Sequence, residues 1–506
     1  MTQILLLAVL LLLAACTGGA LDDQREWEAS SLVGRKTDTV TVWLGAGSAT
    51  PTPSLHPHRT SPHLTAALFS PLVVTDPVSR LPSWGPDVPG AVLQSISSSD
   101  LRRWELTIKP GWRWHDGSRL VAGDLERGWR TAMAAGLPLA STLTDVRATD
   151  DRTLAVALAA PFGQFPHLLV HPTFLPLPPV AGSSPSQFDA APVGNGPYRL
   201  AGRDGSTFEL EAVDDHPLAG PAALDRLLVQ LTDRPGADAD VAVGADGQTG
   251  PPEGEGAVLR SEALRLPGRQ LAYLAFPLTE PAFTNPDVRW ALALALDTEA
   301  LVADVLDGAV TPADRLVGPG FARTAAVVCE ACRYDPDAAR QRWPDDPPQP
   351  LTIWFAADGD HREVVDFIAA AWSDVLGVED VQLASLPGAE LLQQLGDATV
   401  DGPFRLSWQA DVSSPSRLLE PLFGPRGGAN DARYRSEPVE ELLRGAGLER
   451  NLPAGLEAYG AIETAVLEDL PVIPLWFSTV SISARPDISG ILLDGEGLLD
   501  WSALRG

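Results

Sequence analysis

Apolar positions along the chain recur with two different periods. "TVTVWLG" (39–45), "WELTI" (104–108), "FELEAV" (208–213), "LTIWFAA" (351–357) and "VQLASL" (381–386) alternate or run unbroken, which predicts strands covered on one or both faces. "DVRWALALALDTEALVADVLDGAV" (287–310) spaces its apolar residues by three and four. That spacing predicts a helix pair that starts after Asn285-Pro286 and ends at Gly308. "HREVVDFIAAAWSDVLG" (361–377) predicts another helix, stopped by its glycine, and "LPVIPLWFSTVSISA" (470–484) a late strand. The β-α-β alternation in this second half argues for an α/β domain with helices covering a sheet. Residues 48–74 give a Pro- and His-bearing loop and then a short helix, and 236–258 a surface loop around one short strand.

Turn chemistry punctuates one segment closely. In "WELTIKPGWRWHDGSRLVAGDL" (104–125), Pro110-Gly111 and Asp116-Gly117 predict two reversals with a short strand between them, followed by a helix from near Gly123-Asp124. His115 and Asp116 are thus neighbours at a turn. A working His–Asp pair comes from separate segments that converge, because adjacent strand residues face opposite ways, so these two are read as architecture.

At 506 residues and 45% apolar the chain is globular and long enough for two or three domains. Its net charge of −29, with no basic run, argues against nucleic acid as a partner. The opening "MTQILLLAVLLLLAAC" has an apolar run from Ile4 to Ala15, too short to span a bilayer and suited to a secretory signal. Leu13-Ala14-Ala15-Cys16 resembles the lipobox of bacterial lipoproteins, although no Lys or Arg precedes the run. The resemblance implies lipidation at Cys16, with 1–15 removed and the aperiodic 16–37 serving as a tether. The remaining cysteines, Cys329 and Cys332 in "CEAC", are expected to form a local disulfide in an exported protein. A zinc site would need a second ligand pair, and the sequence does not supply one.

Seven segments, in order, resemble the extracellular solute-binding proteins of ABC importers, in the family that takes oligopeptides, dipeptides and nickel complexes. They are "PSLHP" (53–57), "WELTIKPGWRWHDGSRLVAGDL" (104–125), "PVGNGPYRL" (192–200), "NPDVRWALALALDTEALVADVLDG" (285–308), "YDPDAAR" (334–340), "LSWQADVSSPSRLLEPLF" (406–423) and "DLPVIPLWF" (469–477). The resemblance implies a two-lobed, type II periplasmic-binding-protein-like α/β fold with an extra subdomain. The expected boundaries put lobe I at 38–60, 190–268 and 480–506, the extra subdomain at 61–189, and lobe II at 269–479. It further implies capture of a peptide or peptide-like solute between closing lobes, delivery to an ABC permease with its ATPase, and a monomer held at the bacterial membrane outside the cytoplasm. No enzyme activity and no cofactor are expected.

The same resemblance implies that Asp411 in "WQADVSSP" pairs with a ligand amine, that Trp408 walls the cleft, and that the loop carrying His56 lies near it. A carboxylate facing an ammonium is a charge-assisted contact that fixes register. Arg362 is expected on the first turn of its helix facing solvent, which leaves a dipeptide-type carboxylate contact without a candidate. His56, His58 and His63 keep a nickel-type metal-chelate ligand open, though no metal site is assigned. An exported hydrolase on a binding-protein fold is the other alternative. It lacks G-x-S-x-G and H-E-x-x-H. A solute sensor without transport is a third.

Overall fold

The computed structural model describes residues 39–45, 61–245 and 264–506, apart from 215, 218–223, 237, 325–326, 349 and 360. The expected signal peptide, Cys16, the tether, His56 and His58 lie outside the described residues.

One large mixed sheet organises the molecule. In spatial order it runs Val381–Leu386, Leu351–Ala356, Phe404–Gln409, Leu264–Ala275, Val472–Ala484, Val241–Ala245, Thr39–Gly45, Arg226–Thr232, Thr207–Ala212 and Tyr198–Asp204, with Thr311–Pro312 pairing beside Val472–Ala484. Two long strands, Leu264–Ala275 and Val472–Ala484, pair antiparallel and run through the middle. Their register breaks between Pro267 and Leu271. Proline cannot donate to the ladder and glycine weakens it, so Pro267-Gly268 is a natural place for the sheet to fold over. There the Ser478 hydroxyl accepts the Gln270 N–H at 3.2 Å in place of a backbone partner.

Two apolar cores flank this break. One draws on residues from Leu271 to Phe477, among them Phe276, Leu292, Ile368, Trp372 and Ile473. The other draws on Val40 to Leu264, then Val412, and then Ile482 to Leu504. A separate antiparallel sheet, ordered Leu93–Ser97, Arg103–Ile108, Thr153–Leu158, Leu143–Ala148, shares the second core. The helix Ala122–Ala134 packs on it through Leu125 and Trp129, where Trp129 meets Phe174 edge-on at 5.0 Å.

Local chemistry sets the helix ends. The Asn285 side chain accepts from Asp287 N at 3.0 Å to start Pro286–Leu294, and Asp297 accepts from Ala300 N at 2.9 Å to start Thr298–Val305. Gly377, at φ 69°, closes Arg362–Leu376 in the left-handed conformation. Leu351–Ala356 and Val381–Leu386, on either side of that helix, are parallel, completing the β-α-β unit read from the sequence.

The expected strand between the two early turns does not form. Only Arg113 bridges Arg119, because left-handed glycines at 111 (φ 91°) and 117 (φ 84°) bound the segment too tightly for a ladder. His115 lies inside this loop and ties it to the Pro192–Leu200 segment. Gly194 N donates to His115 Nδ1 at 3.2 Å, His115 Nε2 reaches the Gly196 carbonyl at 3.0 Å, and His115 N donates to the Gly194 carbonyl at 2.8 Å. Asp116 Oδ1 accepts from the Ser118 N–H and hydroxyl. Two of the seven sequence segments are therefore each other's packing partners. Cys329 and Cys332 are joined in a disulfide across the turn Glu330–Cys332.

Candidate functional site

A cavity of about 1330 Å³ opens where the two cores meet. One wall comes from the helix Pro62–Leu68 and the turn around Arg80, and the opposite wall from the loop between Asp314 and Thr324. Leu266, Pro267, Phe477 and Val480 of the two long strands form the floor, and the C-terminal stretch Leu492–Ser502 closes one end.

At the floor, Glu496 gathers three segments. Its carboxylate accepts from the Thr75 hydroxyl at 2.8 Å, from Ser413 N at 3.0 Å and the Ser413 hydroxyl at 2.7 Å, and pairs with Arg269 at 2.9 Å. Arg80 donates to the Gly495 carbonyl, and burial lowers its pKa. Asp494 accepts from Glu496 N and Leu498 N, yet burial pushes its carboxyl up to about 7. Arg323 lies exposed in the cavity wall. Cationic and anionic groups thus sit close together in a chain that is strongly acidic as a whole.

Of the described residues singled out from sequence, Asp411, Trp408, Arg362 and His63 do not line this cavity. Asp411 is held by Arg417 through two contacts, Nε to Oδ1 at 3.0 Å and Nη2 to Oδ2 at 3.1 Å. Trp408 is half-buried and donates its indole N–H to the Arg417 carbonyl at 2.7 Å. Two residues beyond Asp411, Ser413 reaches the floor: its carbonyl accepts from Ala322 N at 2.7 Å and its hydroxyl bonds Glu496. Arg362 stands on the first helical turn, exposed and paired with Asp366 at 2.9 Å. His63 Nδ1 accepts from Leu499 N at 3.1 Å, fastening the C-terminal stretch to the cavity wall.

Sequence reading missed Arg80, Arg323, Asp494 and Glu496, which stand in segments that carry no pattern of their own. It also missed Arg405, on the strand Phe404–Gln409 that leads to Asp411. Arg405 is buried over the Trp476 ring at 4.8 Å, its Nε has no hydrogen-bond partner among the described residues, and burial lowers its pKa to about 10.

Two cores, a sheet that folds over between them and a cavity at that fold define a two-lobed periplasmic-type binding protein. The chain belongs to the bacterial extracellular solute-binding proteins, family 5, whose middle region matches residues 88–430. It is 27% identical over 388 residues to the probable ABC transporter periplasmic-binding protein SapA of Escherichia coli, covering 71% of this chain and 69% of that protein. To the oligopeptide-binding protein OppA of Bacillus subtilis it is 22% identical over 542 residues, covering 97% and 96%. A nickel ABC transporter structure from Bacillus halodurans shares the fold with a TM-score of 0.75 at 16% identity, covering 93% of this chain and all of that one.

Proposed function

We propose that this protein captures a peptide or peptide-like solute between its lobes outside the cytoplasm and delivers it to an ABC permease and its ATPase, working as a monomer tethered through lipidated Cys16. The cavity between the two cores carries this reading. Its volume exceeds the few hundred Å³ of a small-metabolite site, and both walls bring charged and apolar groups to a ligand with a polar backbone and varied side chains. Closure over such a ligand removes water and ties one conformation to occupancy, which lets a transporter distinguish full from empty. Similarity to a protein named as oligopeptide-binding supports the same solute class.

Asp411 and Trp408 are proposed as ligand contacts formed on closure, with Arg417 giving up the carboxylate to a ligand ammonium. His56 is proposed to approach the same cleft.

The test is a titration of purified protein, unfolded and refolded to strip bound solute, with di- to hexapeptides and with nickel–histidine complexes. The 14 tryptophans report lobe movement by fluorescence. Saturable change with peptides supports the proposal. Response to the nickel complex alone replaces it with a metal-chelate carrier, and silence throughout overturns it.

A further inference from the structure

We propose that Glu463 is a positioning residue for the solute cleft: from inside one lobe it fixes the loop 314–324 that forms a wall of the cavity. The inference rests on the cavity being the solute site.

Glu463 stands on the helix Leu452–Asp469 and is fully buried. A single carboxylate oxygen, Oε1, accepts two successive backbone N–H groups, from Leu316 at 2.8 Å and Val317 at 2.7 Å. The other oxygen, Oε2, is buried with no hydrogen-bond partner among the described residues. A residue kept only to fill the core would be apolar here, since a buried carboxylate with an orphan oxygen opposes folding. What it supplies is a charge-assisted grip on two adjacent amides.

The gripped loop goes on to shape the cleft. Gly318 lies so close to Phe477 that a Cβ would fall 2.6 Å from the ring, and a Cβ on Gly320 would fall 1.9 Å from the Gly268 carbonyl oxygen at the sheet break. Ala322 N then bonds Ser413 at the cavity floor. Phe321 and Arg323 therefore hold their places through a chain of contacts that starts at Glu463. The close approach at Gly268 also sets the loop against the register break of the two long strands.

The grip depends on charge, and burial pushes the Glu463 carboxyl up to about 7. Arg315 on the loop favours the ionised form and Asp314 opposes it. The packed helix Ser416–Phe423 contributes Glu420, already bonded to Tyr459, and Glu437–Leu448 contributes its buried Val439, Leu443 and Ala446.

Hydrogen exchange on the full protein tests this without a ligand. Peeling the loop away while Glu463 stays buried in its helix removes the two amide hydrogen bonds that hold its pKa down. For that local opening, corrected for intrinsic rates, the Leu316 and Val317 amides should be protected about tenfold more at pH 8 than at pH 6. In Glu463→Gln that difference should vanish, while the melting temperature at pH 8 rises because a buried charge is gone. A merely structural role would lower the melting temperature and leave the exchange profile unchanged. Equal protection at both pH values in the unmodified protein overturns the proposal, and this arm decides even if the variant fails to fold. With trialanine as probe, absence of binding alongside an intact pH-dependent grip would count against the peptide reading and leave the grip standing.

Discussion

Arg417 engages Asp411 with both of its facing nitrogens, a parallel two-point pair with the arginine and aspartate side chains 20% and 28% exposed. A fork-to-carboxylate pair of this kind fixes both partners and occupies the lone pairs a ligand ammonium would use. If the ligand amine competes with Arg417, removing the competitor should help binding. Arg417→Met is expected to tighten trialanine about tenfold and Asp411→Ala to weaken it at least tenfold, read by titration calorimetry. N-acetylated trialanine should be indifferent to both changes. Weaker binding in Arg417→Met would show that the arginine itself touches the ligand.

Much of the fold was legible because it depends on local rules: period-two strands, Asn and Asp caps, and glycine stops such as Gly377. The His115-Asp116-Gly117 turn was legible as architecture for the same reason, but its partner was not, since Gly194 lies 79 residues away. The cavity charges were the least legible. Arg80 and Glu496 meet around Ser413, Thr75 and Arg269 only after four segments converge, and no spacing in the chain announces that. The Asp411–Arg417 pair could have been suspected from a separation of six residues, but its geometry depends on the turn between them.

Close backbone approach makes two glycines unequal. A Cβ on Gly194 would lie 1.9 Å from the Leu68 carbonyl oxygen, whereas one on Gly396, at the end of the helix Gly388–Gly396, meets nothing within 4 Å. Gly194→Ala is expected to cost about 3 kcal/mol or more, through forced separation of the Pro192–Leu200 segment from Leu68 and from His115. Gly396→Ala should be neutral or stabilising by a few tenths of a kcal/mol. Urea unfolding of both variants checks the contrast, and equal midpoints would mean the backbone at Gly194 yields easily.

Arg405 presents the opposite problem, a buried cation resting on the Trp476 ring whose Nε has no hydrogen-bond partner among the described residues. Replacement by methionine keeps the length, loses a cation–π contact of about 1 to 2 kcal/mol and relieves a larger desolvation penalty. Arg405→Met should therefore leave stability unchanged or raised. If ligand carboxylate completes the site, affinity for trialanine should fall about tenfold while trialanine amide is unaffected. A loss of stability of several kcal/mol with equal effects on both peptides would assign Arg405 to the core.

Acid should unfold this protein through its histidines. His63, His115, His167 and His216 are each pushed down to about 4 by burial. Between pH 6.5 and 4 the unfolded chain binds protons at these sites that the folded chain refuses, so stability falls as pH falls, by about 3 kcal/mol per histidine over the window. Glu463 and Asp494 act in the opposite sense. Their folded values of about 7 lie above the unfolded ones, so the folded chain takes up protons first and gains stability as pH falls from 7 toward 4. Four losses against two gains leave a net decline. His115 offers the cleanest test, since protonating Nδ1 sets two hydrogens against each other at Gly194 N. His115→Asn should lower stability at pH 8 yet reduce the acid slope by about one proton, or 1.4 kcal/mol per pH unit. Urea midpoints from pH 4.5 to 8 measure both quantities. An unchanged slope in the variant would show that His115 already titrates normally in the folded protein.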